Sequence, residues 1–314
     1  MGATPPLCSF GCRLLCRVQN HDPSFIIIRV LSFLSLLLLP LVGCSTSSGH
    51  QGSGPRVLVV TAHPDDESGM AATIFKLTHA HDAAVDLALV TNGEGGYKYS
   101  SIGNLIYDKE LTDETIGRRE LPAIRRRELK SGGEIIGLRN YFFLDRIDHR
   151  YTRDVDSVLQ HVWDTTATID ALHEILVDGD YDYLFTMLPV PTTHGHHKGA
   201  TILALKAMMR LPAAERPIAL GVSVAGEGDS IEPFTGLDGY PLTRISSGLP
   251  SFEFDRTAKF GFKDRLDYRI VVNWLIAEHK SQGTMQLAVN RGVREEFWFY
   301  DINPAASRAQ TTDL

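Results

Sequence analysis

Two short segments of this chain crowd together side chains that can bind a metal and move protons. The first reads Ala62-His63-Pro64-Asp65-Asp66-Glu67 and the second Thr192-Thr193-His194-Gly195-His196-His197-Lys198. His63 and Asp66 stand three apart across a proline-bent turn, so an imidazole and a carboxylate can converge on one ion. Asp65, Asp66 and Glu67 alone would read as first-turn acids complementing a helix dipole. That reading leaves His63, and a crowd of like charges, without explanation. The histidines of the second segment sit beside Gly, Thr and Lys, the composition of an open turn rather than of a packed core. One of them, joined to His63 and Asp66, completes three N/O ligands with a fourth position left for water, the arrangement of a catalytic zinc site. Two imidazoles favour Zn2+ over magnesium, and iron(II) suits a two-His, one-carboxylate set as well.

The two segments can meet only if the elements before them end at the same edge of one sheet. Val57–Thr61 is a continuous apolar, β-branched run, as a doubly buried parallel strand should be. Glu67–Ala80 then carries Met70, Ile74 and Leu77 at helical spacing. Val85–Thr91 predicts a second strand closed by Asn92-Gly93. Ile124–Ile136 predicts a helix ended by Gly137, and Tyr141–Leu144 a third strand. A long helix over Val155–Val177, a strand over Tyr183–Leu188 and a helix over His197–Leu211 follow. Strands separated by helical patterns indicate an α/β fold with a mostly parallel sheet covered on both faces. Both chemical segments then fall outside the carboxyl ends of strands, where such sheets bind ligands. No GxGxxG follows the first strand, so no dinucleotide site is expected. After Pro212 the pattern is less regular, with a helix over Arg265–Ser281 and an edge strand over Glu296–Tyr300. The Gly93–Gly96 loop is expected at the rim of the site, and Tyr97–Thr115 and Pro212–Pro250 as its walls.

The N-terminal segment is read separately. Arg13 and Arg17 precede an apolar run from Val30 to Val42, too short to span a bilayer. The run ends in Leu41-Val42-Gly43-Cys44, similar to a bacterial lipobox with lipidation at Cys44. Residues 1–43 are therefore expected to be a lipoprotein signal peptide, residues 44–55 (Ser/Gly-rich) a flexible tether, and residues 56–314 the functional domain. The expected location is the bacterial cell envelope, exported and held to a membrane through the lipid on Cys44. All four cysteines lie at or before Cys44, so the domain has neither a disulfide nor a cysteine nucleophile. Setting aside Arg13, Arg17, Arg29 and Asp22 leaves 28 basic and 37 acidic residues, a net charge of −9. That balance argues against a nucleic-acid partner.

AHPDDE after a first strand, followed much later by a His-x-x-His element opening a helix, resembles the PIG-L/LmbE family of zinc deacetylases. Supporting pieces are Thr91-Asn92-Gly93-Glu94, Arg125-x-x-Glu128 leading to Ile136-Gly137, and His279-Lys280-Ser281-Gln282. The resemblance covers roughly Val57 to Gln282. It implies a Rossmann-like three-layer sandwich that hydrolyses the amide of an N-acetylated amino sugar or a similar small amide. By the same resemblance His63, Asp66 and His197 ligate zinc, Asp65 is the general base, His194 steadies the oxyanion and Arg125 contacts substrate. The sequence departs from the family at His196, where Asp is usual, at Lys198, often Arg, and at Thr192, where some members have Tyr. With no carboxylate at position 196, His194 is expected to titrate lower than in an aspartate-bearing relative.

Overall fold

In the computed structural model, which describes residues 53–308, the apolar strands sort their side chains into two cores. Along β1 (Arg56–Thr61), Val57 and Val59 pack into one apolar cluster and Leu58 and Val60 into the other. A strand buried on both faces must lie inside the sheet, with helices above and below it. Parallel partners follow in β2 (Ala84–Thr91), β3 (Tyr141–Arg146), β4 (Tyr183–Met187) and β5 (Ile218–Gly226). The sheet has seven strands in the order β3-β2-β1-β4-β5-β9-β6, with β6 (Phe252–Asp255) and β9 (Gly292–Phe299) antiparallel to each other. A separate two-stranded ribbon joins β7 (Lys259–Phe260) to β8 (Leu266–Asp267). The mostly parallel sheet between helical layers is the expected Rossmann-like three-layer sandwich.

Helices α1 (Ala71–Ala80), α3 (Glu114–Ile136) and α7 (Arg269–Glu278) feed the cluster containing Val57, while α5 (Thr165–Gly179) and α6 (Gly195–Met208) feed the one containing Leu58. A short helix, α2 (Ser101–Tyr107), precedes α3, and α4 (Val155–Ser157) is a single turn. The chain builds outward from β1 to β3, then crosses back to lay β4 on β1's other side. This reversal opens a crevice between the loops after β1 and β4, where doubly wound sheets hold their ligands.

Several expected boundaries shift for identifiable reasons. The helix expected from Glu67 begins as a 3₁₀ turn over Asp66–Met70 before α1 starts. Its first N–H groups, on Ala72 and Thr73, donate to the buried carboxylate of Glu295 on β9 at 2.9 Å each. Helix α3 starts well before Ile124, at Glu114, because Asp113 caps it by accepting from the Ile116 N–H. The long helix expected over Val155–Val177 is broken. A π turn over Val158–Val162 follows α4, buried Trp163 leaves helical geometry, and Asp164 caps a fresh start at α5. The strand expected over Glu296–Tyr300 is not at an edge, since β9 lies between β5 and β6. Among the described residues no helix is long and apolar enough to cross a membrane. The expected signal peptide, Cys44 and the tether up to residue 52 lie outside the described residues.

Candidate metal centre

The loops after β1 and β4 place His63, Asp66 and His197 around one point. Nδ1 of His63 lies 3.1 Å from Nε2 of His197 and 3.6 Å from Oδ2 of Asp66, and His197 Nε2 lies 3.2 Å from Asp66 Oδ1. Tetrahedral zinc bonds of about 2.0–2.1 Å would set ligand atoms ~3.3 Å apart, so the spacing fits such an ion. The surroundings orient each donor. Asp66 Oδ2 accepts the backbone N–H groups of Ala62 and His63 at 3.0 and 2.8 Å. His197 Nδ1 pairs with Thr193 Oγ1 at 3.0 Å, and with Nδ1 as the donor of that bond the Nε2 lone pair is free for an ion.

Asp65 stands beside this triad in a strained backbone conformation, φ 122°, of the kind that functional sites hold against local preference. Two contacts keep it there. Its N–H donates to Glu67 Oε2 at 2.9 Å, and its Oδ2 meets Arg125 Nη2 at 3.0 Å. The buried Glu67 is in turn held by His279 Nε2 at 2.6 Å. Arg125, the expected substrate contact, lines the cavity, but its guanidinium also donates to the carbonyls of Pro64 and Gly93. Three residues along α3, Glu128 accepts from the Ser281 N–H and hydroxyl at 2.7 and 2.6 Å, tying the late Ser-Gln segment to the same helix.

The electrostatics distinguish these groups. Burial raises the pKa of Asp65, and the Arg125 charge opposes it. Asp66 is driven well below the carboxylate range despite burial, because His197 and His63 favour its charged form. Burial opposes protonation of His63, yet the carboxylates of Asp148, Asp66 and Asp65 outweigh it and raise its pKa to about 9. His194 goes the other way, to about 3, through burial and repulsion from His63, His196 and His197. Its Nδ1 accepts the His196 backbone N–H at 2.9 Å, so a neutral His194 carries its proton on Nε2. His196 is fully buried, with Nδ1 3.2 Å from Asp148 Oδ1.

A cavity of about 410 Å³ opens over the centre, lined by His63, Asp65, Asp66, Arg125, His194 and His197 among others. Gly95 and Gly96 form rim, as expected. The walls depart from expectation: Tyr99 comes from the anticipated Tyr97–Thr115 stretch, but the rest come from Ser68, Gly69, Tyr151, Met187 and Gln282–Met285, with none from Pro212–Pro250. Asp148 and Tyr151, in the loop after β3, escaped the sequence reading. The only signal for them was the end of a third parallel strand at the same sheet edge.

The family described as "PIG-L: GlcNAc-PI de-N-acetylase" matches residues 58–208. The chain is 26% identical over 219 residues to a probable N-acetyl-alpha-D-glucosaminyl L-malate deacetylase 2 of Bacillus cereus, covering 66% of this chain and 90% of that protein. A protein of the same description from Bacillus subtilis is 24% identical over 176 residues, covering 56% of this chain and 70% of its own length. Among solved structures, N,N'-diacetylchitobiose deacetylase from Pyrococcus horikoshii matches 78% of this chain and 84% of its own at 18% identity and a TM-score of 0.46. The matched span begins on β1, ends on α6 and holds both histidine-bearing loops: residues 58–208 carry a PIG-L family domain.

Proposed function

We propose that this protein is a zinc-dependent hydrolase that removes an acetyl group from the amide nitrogen of an amino sugar or a similar small amide. The observation that carries the reading is the convergence of His63 Nδ1, Asp66 and His197 Nε2 beside a carboxylate, Asp65, that is oriented by other groups. In this reading His63, Asp66 and His197 hold the metal. A bound zinc supplies the Lewis acid that polarises the amide carbonyl and makes water acidic enough to attack near neutral pH. Asp65 takes the proton of the attacking water and passes it to the departing amine. Arg125 holds Asp65 in place rather than touching substrate. His194, neutral with its proton on Nε2, donates to the oxyanion as charge develops there. Tyr99 and Tyr151, 53% and 65% exposed at the cavity, offer flat apolar faces to a sugar ring.

The test is release of free amine by zinc-loaded protein from a panel of N-acetyl amino sugars, glycan fragments and thiol-conjugate amides. Turnover of the sugars, lost with a chelator and restored by zinc, is expected. Turnover confined to thiol conjugates would move the substrate class, and zinc and sugar binding without amine release would reduce the protein to a binding module.

We also propose that the protein is exported and lipid-anchored to the cell envelope. Arg13 and Arg17 before a short apolar run, the Leu41-Val42-Gly43-Cys44 ending and the Ser/Gly-rich stretch after it support this. Cys44→Ser should leave the protein soluble or retained as its precursor. A Cys44→Ser protein still lipidated and membrane-bound would overturn the anchor.

A further inference from the structure

Asp148 links the loops that follow all four of the strands β1 to β4. It lies in the loop after β3 and is 5% exposed. Its Oδ2 accepts the N–H of Gly95, in the loop after β2, at 3.0 Å. Its Oδ1 faces Nε2 of His63, after β1, at 3.8 Å, and Nδ1 of His196, after β4, at 3.2 Å. Its own backbone is held as well, the N–H donating to Glu94 Oε1 at 3.0 Å and the carbonyl accepting from Arg118 Nη1 at 2.8 Å.

The proton positions follow from this arrangement. Two imidazole nitrogens face one carboxylate oxygen while lying 3.2 Å from each other. A carboxylate has only lone pairs to offer, so both nitrogens are best satisfied as N–H. For His196 that puts the proton on Nδ1 and leaves Nε2, which is buried without a partner, as a bare lone pair rather than a stranded donor. For His63 it puts the proton on Nε2 and frees the Nδ1 lone pair, on the ring edge that faces Asp66 and His197. An outer carboxylate of this kind sets the tautomer, orientation and basicity of a metal-binding histidine.

We propose that Asp148 is a positioning residue for the metal centre: it locks His63 as the Nε2–H tautomer and, through the buried His196, holds the β1 and β4 loops at the separation the metal requires. The inference rests on the zinc reading above. It also gives His196 a part: it carries no carboxylate where the family usually has one, and instead completes the contacts of a carboxylate supplied by another loop.

The experiment measures zinc dissociation constants by competition with a chelating dye, for the wild type, Asp148→Asn and Gly95→Ala. Asp148→Asn removes the charge and turns an amide N–H toward two N–H groups. Gly95→Ala keeps the charge but adds a Cβ that would sit 2.7 Å from the Asp148 carboxylate and displace it. Both should weaken zinc binding roughly 10–100-fold in metal-free proteins that circular dichroism shows to be folded. The visible absorption of the cobalt(II)-substituted proteins should also shift, which a merely structural role would not cause. A folded Asp148→Asn protein with wild-type zinc affinity and an unchanged cobalt spectrum would overturn the proposal. If that variant does not fold, Gly95→Ala decides in the same way. A wild type that binds no zinc would remove the metal reading together with this inference, whereas tight wild-type binding with unaffected variants removes the inference alone.

Discussion

Oδ2 of Asp65 lies 3.0 Å from Nη2 of Arg125, a side chain that is 2% exposed and also binds two backbone carbonyls. The arginine therefore reads as the support of the base. Arg125→Lys keeps a charge but loses the planar fork that reaches three acceptors at once. It should lower kcat by roughly 10²-fold through a misplaced Asp65 while KM barely moves. Steady-state kinetics separate this from a substrate contact, whose loss would appear chiefly in KM.

Zinc binding should be coupled to proton release. His63 titrates at about 9 instead of its ordinary 6.5 in the metal-free protein, so near neutral pH it is protonated and must lose a proton to ligate. Apparent zinc affinity should then fall as pH drops below about 9, with close to one proton released per zinc near pH 7. The sign for the metal-free fold is opposite. Because the folded pKa is raised, the stabilisation from charged His63 is full below 6.5 and is lost as pH rises through about 9. Calorimetry of zinc binding in buffers of different ionisation heat reads the proton count. A heat independent of buffer would contradict it.

His194→Ala should cost roughly 10²–10³-fold in kcat, the usual worth of one oxyanion donor, with zinc content retained. Since His194 titrates only at about 3, it stays neutral across the working range and should contribute no limb to the wild-type pH–rate profile above that value. Near-normal turnover in His194→Ala would remove it from the mechanism.

Much of the fold and part of the site were legible in the sequence, for physical reasons. Strands β1, β2 and β4 stand out because strands buried on both faces carry largely apolar runs, and the edge strand β3 through the aromatic run Tyr141-Phe142-Phe143. The His63 and His194–His197 segments stand out because each concentrates chemistry at the end of such a strand. Strand β5, Ile-Ala-Leu-Gly-Val-Ser-Val-Ala-Gly, is diluted by small residues and lies in a region with no regular alternation. The break at Trp163 is invisible to periodicity, since it is set by tertiary packing and by a donor bond from the indole to Ile147 O. Asp148 is one acid among many, and its importance arises only when the loop after β3 comes to lie against His63 and His196. Arg125 was marked as a site residue by its motif, but its partners depend on how α3 packs.

The buried Arg256–Glu295 pair, 2.9 Å apart, holds Ser68 and the start of α1 next to the site. Glu295→Ala leaves Arg256 buried without its counter-charge and the α1 N–H groups without an acceptor, and should destabilise by about 3–5 kcal/mol. Asp170→Asn, which breaks a half-exposed pair with Arg210, should change stability by no more than about 1 kcal/mol. Urea unfolding of the two variants gives the comparison; equal effects would deny the β9–α1 link its role.

The most direct test of the account is the zinc content of purified Asp65→Asn and His197→Ala proteins, measured by elemental analysis alongside the wild type. If His63, Asp66 and His197 hold the metal and Asp65 only moves protons, Asp65→Asn retains one zinc per chain and His197→Ala loses it. Full zinc occupancy in His197→Ala, or loss of zinc in Asp65→Asn, would contradict the assignment.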